Sequence, residues 1–134
     1  MPEAAFRSIP GMKADADLSA DQYRAVRMTG AFQVGLITNA NAQRPFGILQ
    51  DDPDAEGKGA LVAYDGVCKA RVGTGGVTAG DTLAVENDGD LITDVEVADG
   101  GAVDLHHVAT ALETGAAGDV IFVLLHTPIR IGLE

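Results

Sequence analysis

From Leu18 onward, short apolar runs alternate with clusters of turn-forming residues, and each run is too short for a typical helix. This pattern predicts strands over residues 23–28, 33–38, 46–50, 60–64, 67–72, 82–86, 90–95, 108–113 and 119–125. The punctuation between them is rich in Gly, Asp and Asn, as in Gly73-Thr74-Gly75-Gly76 and Asn87-Asp88-Gly89-Asp90. Asp65-Gly66 has two readings, a tight hairpin turn or a glycine bulge inside one longer strand. A second ambiguity covers residues 104–114, where Leu105, Val108 and Leu112 also fall on one face of a helix. Residues 1–17 show no period. They carry Pro2 and Pro10 with isolated apolar residues Phe6, Ile9 and Met12, the pattern of a frayed terminus or of an arm that orders on a neighbouring subunit.

The chain also resembles itself. Ser19-Ala20-Asp21-Gln22-Tyr23 is similar to Ala79-Gly80-Asp81-Thr82-Leu83, and the stretch around Leu49 to the stretch around Leu112. Two similar half-units are therefore expected, at about residues 18–72 and 78–126. At 134 residues the chain has the length of one domain, read as 18–134 with 1–17 as an N-terminal arm.

Composition narrows the function classes. The apolar fraction of 46% is mostly Ala, Val, Leu and Ile, with no Trp, two Tyr and four Phe, which leaves few faces for stacking bases or sugars. Nine basic against twenty acidic residues give a net charge of −11, and the basic residues are scattered singly. Nucleic-acid binding rests on clustered Lys and Arg that neutralise phosphates, so nucleic acid and anionic membranes are not the expected partners. The longest apolar run, 120–125, is far shorter than a membrane span, and Met1 to Phe6 has no features of a secretion signal, so synthesis in a cytosol is expected. The single cysteine, Cys68, cannot form an internal disulfide and reads as a small core hydrophobe.

The chemistry-bearing residues form no catalytic pattern. The only serines, Ser8 and Ser19, lie near the N-terminus, and no Gly-x-Ser-x-Gly turn is present. His106 and His107 are adjacent and would point to opposite faces of a strand, which disfavours joint metal ligation. Asp51-Asp52-Pro53-Asp54 lacks the spacing of a calcium loop, and Gly73-Thr74-Gly75-Gly76 lacks the Lys-Ser/Thr ending of a phosphate loop. The run Gly76 to Glu86 resembles the Val-x-x-Gly-Asp-x-Leu stretch of biotinyl and lipoyl carrier domains, but the following tip has no lysine to modify. No enzyme activity, cofactor or metal site is therefore expected.

Several stretches, taken together and in order, resemble the capsid decoration (cement, or head-stabilising) proteins of tailed phages. They are Ala16–Tyr23, Arg44-Pro45-Phe46-Gly47-Ile48-Leu49-Gln50-Asp51-Asp52-Pro53, Asp65-Gly66-Val67-Cys68-Lys69-Ala70, Ala79-Gly80-Asp81-Thr82-Leu83 and the run from Ala111 to Leu125. The resemblance spans roughly residues 16–125, and residues 94–104 look like an insertion. It implies an all-β, small β-barrel-like domain of the β-tulip type with an extended N-terminal arm. It further implies assembly as homotrimers on the outer surface of a virion, with the major capsid protein as partner. By that analogy residues 108–113 are a strand, and Phe6, Arg7, Ile9 and Met12 are the residues of a capsid-binding arm. Removal of residues 2–13 is then expected to leave a folded domain. A small oligomeric fibre-base or receptor-binding module of the virion is the alternative. A faint likeness of Asp104-Leu105 to a nucleotide-hydrolase motif lacks its companion motifs.

Overall fold

A computed structural model describes residues 3–40, 42–93 and 105–131. Ten strands follow one another: β1 (Ala5–Ser8), β2 (Lys13–Ala14), β3 (Ala25–Gly30), β4 (Gln33–Leu36), β5 (Gly47–Leu49), β6 (Val62–Arg71), β7 (Thr82–Val85), β8 (Leu91–Thr93), β9 (Leu105–Ala111) and β10 (Val120–Ile131). They form one sheet in the order β2-β4-β3-β5-β6-β10-β9-β7-β8, with β1 added to β6. The all-β architecture is as expected. The path is open among the described residues, ending at β2 and β8, so it does not close into a barrel.

The same hydrogen-bonded path occurs twice. In the first half it runs β4-β3-β5-β6, and in the second β8-β7-β9-β10, and the two halves meet where β6 pairs antiparallel with β10. The parallel β2–β4 pair is the exception among antiparallel strand ladders. Residues 105–111 are strand, because both edges of β9 find partners, β10 on one side and β7 on the other. A helix there would leave the edges of two central strands unpaired. The inserted-looking residues 94–104 lie outside the described residues.

Gly66 settles the second ambiguity. Its φ of +100° is left-handed, and it sits inside β6 rather than at a hairpin tip. The strand bends here and serves different partners along its length: β5 at Val62 and Ala63, β1 from Ala63 to Val67, and β10 from Gly66 to Arg71. Gln50 extends the pairing without a strand of its own. Its Nε2 donates to the Lys69 carbonyl at 2.9 Å, and its Oε1 accepts from the Lys69 N–H at 3.3 Å.

Small and β-branched side chains allow this close layering. One buried cluster joins the two halves and includes Ile37, Ile48, Cys68, Leu83, Leu91, Val108 and Val123. The other contains Met12, Ala14, Leu18, Val26, Val34, Leu49 and Val62. The N-terminal segment therefore lies on its own domain: β1 and β2 belong to the sheet, and Met12 is 3% exposed. Removing residues 2–13 would take Met12 out of the second cluster, whereas removing residues 2–8 would not.

The β7–β8 turn locks the halves together. The Ala25 N–H donates to the Gly89 carbonyl at 2.7 Å, and the Ala40 N–H donates to Asn87 Oδ1 at 2.9 Å. Gly89 has φ +89°, and a Cβ there would lie 2.8 Å from the Ala25 carbonyl oxygen. The turn that presents a modifiable lysine in carrier domains is here a structural plug.

Candidate interaction surface

The four residues expected in an arm divide by burial. Arg7 is exposed and faces Asp65 across a 4.0 Å ion pair, whose side chains are 76% and 52% exposed. Water screens such a pair almost completely. Phe6 is half-buried against the first core cluster and Ile9 against the second, while Met12 is interior. Among the described residues, no backbone hydrogen bond outside the β1–β6 ladder involves Ala5–Ser8, so with respect to them the outer edge of β1 carries unpaired N–H and C=O groups. An edge of this kind is a template for another chain's strand.

The larger exposed apolar surface lies elsewhere. β10 alternates in burial from Val120 to His126, with Ile121, Val123 and Leu125 inward. Its outward residues are also apolar: Val120 and Leu124 are 45% and 44% exposed, and Leu112 beside them is 45% exposed. Phe122, between them, is half-buried beneath Lys69, whose ammonium stands 5.7 Å from that ring and 5.9 Å from the ring of Tyr23. An antiparallel strand with one wet face usually alternates apolar with polar residues. The uninterrupted apolar run 120–125 was the sequence signal for this face. At the β3–β4 hairpin, Phe32 is exposed in a left-handed conformation (φ +51°), which is costly for an aromatic residue.

The charged groups around Asp90 are bound up in structure. Arg24 bridges the halves, with Nε 3.0 Å from Asp90 and Nη1 3.0 Å from Asp21, and Arg71 Nε lies 3.6 Å from Asp90. Burial, and then the neighbouring charge of Asp88, push the Asp90 carboxyl above the ordinary range against the pull of both arginines. Glu86, Asp88 and Asp90 hold carboxylate oxygens within 4.8 Å of one another. Each has other work: Glu86 accepts from the Thr74 N–H and hydroxyl, Asp88 accepts from the Asp90 N–H, and Asp90 pairs with Arg24 and Arg71. This does not resemble an anionic cradle prepared for a cation.

The remaining chemistry-bearing residues are similarly placed. Ser19 donates through Oγ to Asp17 at 2.6 Å, which holds the Asp17 carboxyl below the ordinary range. Burial pushes the Cys68 thiol up to about 12, far from a reactive thiolate. His106 and His107 are in β9 and His126 is in β10. The motifs behind the family resemblance are structural. A Cβ at Gly47 would meet the Ala63 carbonyl oxygen, Asp51 Oδ1 accepts from the Leu61 N–H at 3.0 Å, and the Pro53 carbonyl accepts from the Leu18 N–H at 2.8 Å. In the Ala-Gly-Asp turn, the Thr78 N–H and the Thr93 hydroxyl hold the Asp81 carboxyl below the ordinary range.

No protein-family model matches this chain, and no curated protein matches it. Among solved structures it is similar to the N base of the head fiber gp8.5 of bacteriophage phi29, with a TM-score of 0.62. The two are 17% identical, and the match covers 97% of this chain and 99% of the other. The likeness is one of fold.

Proposed function

We propose that this protein is a structural component of a phage virion that decorates and stabilises the head by binding the major capsid protein on its outer surface. The observation that carries the reading is the shared fold over nearly the full length of a phage head fiber base. The sequence resemblance to decoration proteins supports it independently, since it rests on turn motifs that can be read without the fold. Contacts between copies are assigned to the apolar outer face of β10, and contacts with the capsid to β1 and its open edge. Many small interfaces of this kind stabilise a shell by mass action, because they bind the assembled state in preference to its parts.

A fibre-base role is the second reading, favoured by the identity of the similar structure. Copy number separates the two. Densitometry of purified particles should give hundreds of copies per head for a decoration protein; a few tens would favour the fibre base, and absence from particles would end both. Removing residues 2–8, which takes away β1 but spares Met12, should abolish head binding and leave the domain folded. Undiminished binding would show that β1 is not the contact.

A further inference from the structure

Among the described residues, two charged side chains beside the outer face of β10 form no ion pair. One is Lys69 on β6. Its ammonium lies 5.7 Å from the Phe122 ring and 5.9 Å from the Tyr23 ring, a separation at which rings attract a cation. The other is Glu113, exposed just beyond β9. Its Oε1 accepts from the Phe122 N–H at 2.8 Å, which fixes the carboxylate in place. Arg71, two residues along β6 from Lys69, is already engaged by Asp90.

Lys69 and Glu113 stand level with Phe122, on opposite sides of it. Lys69 is the register partner of Phe122 on the β6 side. On the β9 side the Leu112 N–H donates to the Phe122 carbonyl at 3.1 Å, next to Glu113. Across the strands the face therefore reads cation, aromatic ring, carboxylate, with exposed Leu112, Val120 and Leu124 around the ring. A half-turn about a line along β10 exchanges the two sides and keeps the level. A second copy laid face to face in this way sets its Glu113 over Lys69 and its Lys69 over Glu113. A half-turn about a line across the strands would instead set Lys69 over Lys69.

We infer that this face pairs with the same face of a second copy about a two-fold axis running along β10. Leu112, Val120 and Leu124 close against their counterparts, and two reciprocal Lys69–Glu113 contacts form at the flanks. The occupant is another copy because the face carries both halves of the charge match itself, as a two-fold interface requires. The inference rests on the assignment of contacts between copies to β10 and not on the virion role. It gives pairs of copies, not the threefold set that the family resemblance implies.

The test is sedimentation equilibrium of the purified full chain in about 0.15 M salt, which screens the net charge of −11. The native chain should reach twice the monomer mass. Lys69→Glu and Glu113→Lys should each weaken pairing by about tenfold or more, since each sets like charges opposite one another. The two single variants mixed in equal amounts should recover native affinity, and so should the doubly exchanged chain Lys69→Glu/Glu113→Lys. Recovery of this kind separates a lost contact from lost folding. Leu124→Asp should abolish pairing. Loss on Leu124→Asp with no effect of the charge variants would keep β10 as the contact and overturn the two-fold arrangement. Association untouched by Leu124→Asp would overturn both. Three times the monomer mass, a mixture that does not recover, or a monomer at every concentration would also overturn the two-fold pairing.

Discussion

Replacing Gly66 by Ala should detach β1 from the domain, and a matched control separates that effect from simple backbone strain. Gly66 has φ +100°, and its Cβ would collide with the Ala5 carbonyl oxygen and stand 3.0 Å from Phe6 Cα. Both obstacles are backbone atoms of β1, so no side-chain rotation relieves them. Gly118 has a similar φ of +90°, but its Cβ would meet nothing within 4 Å. Gly118→Ala should therefore cost only the left-handed penalty, about 1–2 kcal/mol. Gly66→Ala should add the loss of the four-residue strand β1 and the partial burial of Phe6, about 1 kcal/mol more. Urea unfolding gives the totals, and hydrogen exchange locates the effect. The Ala5–Ser8 amides bonded to β6 should lose their protection in Gly66→Ala and keep it in Gly118→Ala. Equal costs for the two variants, with β1 still protected in both, would refute the argument that β1 imposes glycine at position 66.

Other expectations follow from burial and charge. Leu124→Asp should change stability by about 1 kcal/mol or less, because Leu124 is largely outside the core, yet it should reduce the sedimenting mass if β10 joins copies. Asp90 titrates above the ordinary carboxyl range, so protonation is favoured by folding and its ionised form costs stability. The stability of the native chain relative to Asp90→Asn should accordingly improve as pH falls from neutrality through that raised value, and urea titrations over pH 7 to 3 should show this sign. Cys68 should resist thiol reagents in the folded protein and react once urea unfolds it, since the thiol is buried with a pKa of about 12. Leu49→Ala should cost about 2–5 kcal/mol, the range for deleting a fully buried leucine, measured by the same urea curves.

Much of the sheet was legible because its strands carry their own signal. Runs around Leu49, Leu83 and Val123 put apolar side chains into the core and end at Gly- or Asp-containing turns. Three features were hidden, each for a physical reason. β1 is exposed at three of its four residues, so no apolar alternation announces it, and its pairing to β6 is purely long-range. The bend at Gly66 and a hairpin at Asp65-Gly66 call for the same residues, and only the competing partners β1 and β10 decide between them. For residues 105–111, the helical spacing of Leu105, Val108 and Leu112 conceals a strand with neighbours on both edges; Leu112, on the supposed helical face, is exposed. Of the candidate contact residues, the apolar outer face of β10 could be suspected from the run 120–125.

The most direct measurement is a reconstruction of the phage particles formed in cells that make this chain. The account predicts density matching the ten-stranded sheet on the outer surface of the head, with β1 against the major capsid protein. Heads whose outer surface shows no such density, from a preparation in which the chain is abundant but unattached, would contradict it.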